Sequence, residues 1–501
     1  MRNRGFVIYG LLARHQVLSA YRAFAERSNA YVRVILAVMA MYFAWSLAVT
    51  GWRFGQIAFY ILDIGVPTQL VNDYLFAAAF SLFGLRFLFG KSPRFRATPY
   101  LHLPIRRIDL VRYFQASSLL SLHNVFPLLF VVPFWINEVS RVNPFGGSGI
   151  LWLAGIVLVL VISTWLNSWL RALLSYSTAV FAMLMIAAWA IIAADQILAT
   201  YVINDLSRAT FNALLAGNYR VLIGLAAVAV VAYHLASNQL QRALQNIAEP
   251  KRTARRIGQQ ITLLQDLGPV GQLLVVELKM LWRNRRPRHN LVLSALFSTV
   301  YVLALLITPS IGDNAFVQCI VGLFASGGFA LNYGQLMFAW ESSYFDGLAT
   351  RDITTETMVR AKYVLLQLSC VVFFLISLPI FWLVRPDLLM LHAAFTLYNI
   401  GITSSLVVLL AVYNRKRIEL WRSGSFFNYE GFSLLHWLWI IPIAAPPLAI
   451  MLALPRAQVH AGLLVALVGL LGLLLTPVAT SLLADKIFKR RYIMLSGFRA
   501  Q

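Results

Sequence analysis

Along this chain, long apolar runs alternate with short stretches rich in arginine and lysine. A helix that crosses a bilayer needs about 20 mostly apolar residues, and the pattern predicts about twelve such segments, near 30–50, 69–90, 113–136, 149–170, 174–196, 219–236, 290–309, 314–340, 361–384, 388–413, 434–454 and 460–484. The pattern therefore predicts an all-α polytopic membrane protein. Two further stretches are amphipathic and basic, LLARHQVLSAYRAF at 11–24 and LLVVELKMLWRNRRPRH at 273–289. In the second, Leu274, Leu278, Leu281 and Trp282 share one helical face and Glu277, Lys279 and Arg283 fall elsewhere, as expected of a helix lying in the membrane interface.

Composition agrees. Of 501 residues 60% are hydrophobic and 12% charged, against about 25% charged in a soluble domain. The net charge of +23 would suit nucleic acid, but its placement suits topology better. The blocks 1–29, 86–112, 236–289, 340–362, 414–433 and 485–501, with Arg171, hold about 35 of the 42 Lys and Arg, which puts them and both termini on the cytoplasmic side of the membrane. The opposite face carries Arg53, Arg141, Arg208, Arg220, Arg385 and Arg456, so no nucleic-acid partner is needed to explain the charge. Arg14, Arg22, Glu26 and Arg27 interrupt the first stretch, which lacks the apolar core of a cleaved signal. Cys319 and Cys370 fall inside predicted spans and suggest neither a disulfide framework nor a thiolate metal site.

The segment GLRFLFGKS at 84–92 comes close to a phosphate-binding loop. Such a loop needs four residues between its glycines, a strand before it and a helix after it. Gly84 and Gly90 are separated by five, and the preceding LVNDYLFAAAFSLF has no strand-like alternation. The segment reads as the cytoplasmic end of the second span, with Arg86 and Lys91 near the headgroups.

The two halves of the chain line up. Tyr21-Arg22 answers to Trp282-Arg283 in the amphipathic stretches. After the second span of each half comes a charged hairpin, RFRATPYLHLPIRRIDLVRYF at 94–114 and SSYFDGLATRDITTETMVRAKYV at 342–364, in which Ile105 meets Ile353, Val111 meets Val359 and Arg112 meets Arg360. The third spans close on PFW and PIFW. This predicts two parallel six-helix repeats, 1–236 and 271–501, each preceded by an interfacial elbow helix and joined by a polar linker, 237–270. Parallel repeats place a path about an axis along the membrane normal.

With its elbow helices, six spans per half and hairpins between spans two and three, the chain resembles the membrane subunit of a type-2 ABC exporter, in a fused two-repeat form. The segment closest to the family is WESSYFDGLATRDITTETMVRAK at 340–362, with an acid, Glu341, at the end of the second span and Lys362 entering the third. The first half has Pro93 where the second has Glu341. The resemblance implies a permease with no ATPase activity and no cofactor of its own, working with ATP-binding cassette subunits, two copies, that hold ATP and Mg. The hairpins would be coupling helices, contacting those subunits through Leu103, Pro104, Ile105, Arg106, Arg107 and Asp109 in the first and Glu341, Asp346, Arg351, Asp352, Thr354 and Glu356 in the second. Glu341, next to the bilayer, is expected to accept hydrogen bonds from backbone N–H groups of its turn.

Several polar residues in the spans are candidates for a substrate path or for ordinary helix contacts. Asp73 reads as an intramembrane acid or an interfacial one. His123, beside Asn124, could meet a polar substrate or bond across helices, and no histidine at i+3 or i+4 supports a metal. Asn332, Tyr333 and Gln335 admit the same pair of readings. Pro442, Pro446 and Pro447 should kink the eleventh span. The external loop 197–218 is amphipathic and suits a re-entrant or gate helix. No catalytic constellation or metal set is evident. Two other functions remain in play: a secondary transporter, which would bury paired acids in the membrane, and an integral-membrane enzyme acting on lipid-linked substrates, which would present acid, histidine or serine clusters at a membrane face. The expected cargo of an exporter is amphipathic or lipid-linked.

Overall fold

The computed structural model describes residues 2–27, 30–62, 66–89, 98–140, 147–197, 200–248, 268–296, 298, 314–342, 344–349, 351, 353–415, 417, 418, 420, 440–454 and 457–499. Among these residues the chain is α-helical, with no strand. The helices, in order, are α1 (Arg2–Arg27), α2 (Ala30–Leu62), α3 (Pro67–Phe89), α4 (Arg107–Leu119), α5 (Leu122–Phe134), α6 (Ser148–Tyr176), α7 (Thr178–Ile197), α8 (Val202–Leu215), α9 (Tyr219–Ala248) and α10 (Gly268–Arg283). They continue as α11 (Arg285–Leu296), α12 (Ala315–Gly334), α13 (Phe345–Ala349), α14 (Thr355–Val384), α15 (Leu389–Tyr398), α16 (Ser404–Ala411), α17 (Ile440–Ala453), α18 (Gln458–Leu474) and α19 (Thr476–Arg499). Seven described helical stretches are long and apolar enough to cross a membrane, or up to 8 if the bent pair α18 and α19 is one span. The chain is thus an all-α membrane protein.

Local chemistry fixes several ends. Asn314 caps α12 by accepting from the backbone N–H of Phe316 at 2.9 Å, and Thr354 caps α14 by accepting from Thr357 N at 3.2 Å; each satisfies a donor that the first helical turn leaves open. The run read as one span at 460–484 is broken: α18 and α19 bend by 56° after Leu475. Pro477 follows directly, and a proline cannot donate to the preceding turn. In α17, Pro442 falls in the first turn, where its missing N–H is harmless, and Pro446 and Pro447 lie inside the helix.

The chain divides into two compact units. The first comprises 1–176 and 201–252, the second 177–200 and 253–501. Helix α7 therefore belongs to the second unit, where it packs against α11.

In the first unit, α6 packs along α9 and α2 along α5. The amphipathic 197–218 region forms α8, which buries Ser207, Phe211 and Leu214. It docks on α3: Asn72 Nδ2 donates to Asn212 Oδ1 at 2.7 Å, Ser207 Oγ donates to the carbonyl of Asn72 at 2.5 Å, and Trp152 Nε1 donates to Asn72 Oδ1 at 2.8 Å. Arg86 does not point to headgroups. It donates inward to Asn124 Oδ1 at 3.0 Å, to Ser121 Oγ at 3.0 Å and to Thr164 Oγ1, where the break between α4 and α5 supplies polar groups. Lys91, Pro93 and Arg94 lie outside the described residues.

In the second unit α12 is the centre, buried over most of its length. Phe329, Tyr333 and Trp340 stack, with centroids 4.9 and 5.5 Å apart. A π turn at Asn399–Thr403 between α15 and α16 turns Asn399 toward α12, where its Nδ2 donates to Ser326 Oγ at 2.9 Å. Alongside, Gly401 lies so close to α18 that an added Cβ would sit 2.0 Å from the carbonyl oxygen of Gly469. Small residues permit this close approach of two backbones, as membrane helix contacts require.

Candidate functional site

The strongest concentration of buried charge in the described residues joins three elements of the second unit. Glu277 comes from α10, Glu341 from the turn after α12, and Lys362 from the second turn of α14. Lys362 Nζ lies 2.5 Å from Glu277 Oε1 and 2.8 Å from Glu341 Oε1, and the side chains are only 1% and 6% exposed. The phenol of Tyr333 reaches Glu277 Oε2 at 3.5 Å, and the ammonium sits 5.1 Å from the centre of the Phe338 ring. Glu341 Oε2 is buried with no hydrogen-bond partner among the described residues.

One ammonium between two carboxylates leaves a net negative charge on side chains almost wholly buried, which is costly unless a proton joins it. Burial pushes the Glu341 carboxyl well above the usual carboxylate range; Lys362 pulls against this and the charge of Glu277 adds to it. Burial, with Glu341 and then Glu277, likewise raises the phenol of neighbouring Tyr344. The cluster can therefore hold a proton at Glu341, and it ties three helical elements to one point.

A cavity of about 400 Å³ adjoins it. Its wall takes Glu277 and Val276 from α10, Glu341, then Arg351 and Thr354 from the hairpin, and Phe488 and Arg491 from α19. Of the hairpin residues marked by the sequence, Glu341, Arg351 and Thr354 thus share one cavity wall. Asp346 instead pairs with Arg499 at 3.0 Å, and Glu356 with Arg360 at 2.6 Å within α14. Asp352 lies outside the described residues. Glu341 is held by Lys362 rather than by backbone N–H groups of its turn. Glu277, assigned from sequence to the polar side of an interfacial helix, is buried together with Leu274, Val275, Met280 and Leu281. The only sequence signal for it is an acid set in the apolar run LLVVELKMLW.

Among the described residues, the corresponding corner of the first unit is built without buried ions. Matching Tyr21-Arg22 to Trp282-Arg283 puts Gln16 in register with Glu277, and matching Ile105 to Ile353 puts Phe114 in register with Lys362. Tyr113 Oη donates to Gln16 Oε1 at 3.1 Å, and His15 Nδ1 meets Tyr100 Oη at 2.7 Å. Leu12, Tyr100, Leu110, Val111 and Phe114 form the core there with Leu240 and Leu244. Leu103, Pro104, Arg106 and Arg107 are exposed, while Ile105 and Asp109 are half-buried.

The residues expected on a substrate path take different places. Asp73 is bound by Arg208 of α8, with Nε 2.6 Å from Oδ1. His123 lines a separate apolar cavity of the first unit. In the second unit Tyr333 is wholly buried against Glu277, Asn332 is buried, and Gln335 is half-buried just past α12. Asp195 of α7, which sequence reasoning passed over, is buried and accepts from Thr200 Oγ1 at 2.7 Å.

No curated protein and no solved structure matches the chain. A family model, DUF5687, described as a family of unknown function, matches residues 16–501, and the chain belongs to that family.

Proposed function

We propose that the chain is the permease of an ATP-driven exporter of the type-2 ABC kind, with about twelve spans in two parallel repeats and both termini in the cytoplasm. Separate ATP-binding cassette subunits would hydrolyse ATP with Mg and press on the two hairpins. The observation that carries this reading is the Glu277–Lys362–Glu341 cluster. Coupling needs an element through which a push on a cytoplasmic hairpin reaches the spans. The cluster binds the elbow helix, the end of α12 and the start of α14 at one buried point, beside a cavity walled by hairpin residues. A cargo that is amphipathic or lipid-linked remains part of the proposal.

The test is to express the chain with an ATPase subunit that copurifies under mild detergent and to measure ATP hydrolysis in vesicles. Charge reversals at Arg351 and Glu356 should lower stimulated hydrolysis without changing the fold of the chain. A chain that moves solutes with no ATPase subunit and no ATP would refute the reading. The same buried carboxylates favour one rival, a proton-coupled secondary transporter, because such proteins keep paired acids out of water. That rival predicts transport driven by a pH gradient alone and abolished by Glu341→Gln.

A further inference from the structure

The cavity beside the ionic corner carries acids and bases at different depths of one wall. Its acids are Glu277 and Glu341, each side chain 6% exposed. Its bases are Arg351, exposed on the hairpin, and Arg491, half-buried on α19. Neither arginine is paired with a carboxylate among the described residues. Arg491 instead lies against the rings of Phe488 and Tyr492, 4.0 and 4.8 Å from their centroids.

The buried end lacks something. Lys362 sets one positive charge against two carboxylates, and Glu341 Oε2 has no hydrogen-bond partner among the described residues. A buried acceptor without a donor and a buried charge without a counterion are both costly. A proton on Glu341 relieves the charge of the empty site. An ammonium brought by a ligand relieves it too, and supplies a donor without leaving the rim arginines facing an empty space.

We infer that the cavity binds a zwitterionic ligand that joins a primary ammonium to a phosphate, the phosphoethanolamine group, with the ammonium donating to Glu341 and the phosphate held by Arg351 and Arg491. Two carboxylates then face two ammonium groups. Guanidinium forks match phosphate oxygens, and the N-terminus of α14, which lines the cavity at Thr354 and Thr355, adds the positive end of a helix on the same side. The volume of about 400 Å³ lies within the roughly 300–1,000 Å³ of small-molecule sites. Leu273, Ile353 and Met358 give it apolar walls for the carbons between the charges. The site involves no ATPase subunit and no step of the exporter proposal, so it stands or falls separately.

The test measures binding of radiolabelled phosphoethanolamine to the full chain in phosphatidylcholine nanodiscs at neutral pH. It should bind at least about tenfold more tightly than phosphocholine, whose quaternary ammonium has no N–H to give, and than inorganic phosphate, which has no amine. Glu341→Gln should weaken it by at least about tenfold, since a neutral amide no longer balances the ammonium. Should that variant fail to fold, Arg351→Gln with Arg491→Gln, both at the rim, should weaken phosphoethanolamine and inorganic phosphate alike. Nanodiscs of phosphatidylethanolamine tell the two sources of the group apart. Loss of labelled binding there, with a higher melting temperature than in phosphatidylcholine, makes the occupant a lipid headgroup; unchanged binding makes it a free small molecule. Equal binding of phosphocholine, or unchanged binding in a folded Glu341→Gln chain, overturns the ammonium at Glu341. Unchanged binding in the double arginine variant overturns the phosphate end. No saturable binding of phosphoethanolamine, together with equal melting temperatures in the two lipids, overturns the site.

Discussion

The corner where α10, the turn after α12 and α14 meet has a counterpart in the first unit between α1 and α4, and the two are closed differently. In the second unit it is closed by Glu277, Lys362 and Glu341 within 2.5 and 2.8 Å contacts, all buried. In the first it is closed by Gln16 on Tyr113, His15 on Tyr100, and the ring of Phe114 in the register of Lys362. Among the described residues the first-unit corner packs without ions. Buried ion pairs are often no more stabilising than apolar groups of similar volume, because desolvation offsets their attraction. The ionic corner therefore has no special claim on stability, and under the exporter proposal the second hairpin would transmit while the first would be mainly a packed support.

The largest effect should come from breaking the ionic corner on one side. Lys362→Met leaves two buried carboxylates facing each other and should cost about 3–5 kcal/mol, read as a sharp fall in melting temperature in detergent and in folded yield. Glu341→Gln should cost less, since the amide still accepts from Lys362. It should also remove a pH dependence. Glu341 has its folded value raised above the ordinary 4.5, so the unfolded chain loses this proton first as pH rises. Stability is then highest below 4.5 and falls as pH climbs through the raised value. A melting curve series for wild type should slope downward from about pH 4.5 to the raised value and level off above it, and that slope should be absent in Glu341→Gln.

In the neutral corner the effect should be smaller. Tyr113→Phe removes one hydrogen bond to Gln16 and should cost about 0.5–1.5 kcal/mol, with no new pH dependence. Smallest of all should be Glu356→Gln, which breaks an exposed pair with Arg360 and should shift stability by about 0.3–0.5 kcal/mol. If Tyr113→Phe proved as damaging as Lys362→Met, the contrast between the corners would fail.

Much of this was legible in the sequence, for reasons that can be named. Apolar run length alone gave the all-α membrane class, and Glu341 and Lys362 were marked by the resemblance of the segment 340–362 to an exporter permease. Glu277 was not, because its burial depends on partners 64 and 85 positions away, which periodicity along one helix does not register. Arg86 looked like a headgroup anchor since its neighbours are apolar; its partners Asn124 and Thr164 come from other helices. The bend after Leu475 was hidden by an apolar run that continues through Pro477, and the placement of α7 in the second unit by its position in the first half of the chain.

The most direct measurement neutralises the ionic corner as a whole. In Glu277→Met, Glu341→Met and Lys362→Met combined, the buried ions are replaced by apolar side chains of similar volume, so the chain should melt within about 1 kcal/mol of wild type. ATP hydrolysis by the copurified ATPase complex should then lose its dependence on the permease while the ATPase subunits stay bound. A triple variant that folds, binds those subunits and sustains full stimulated hydrolysis would contradict the account.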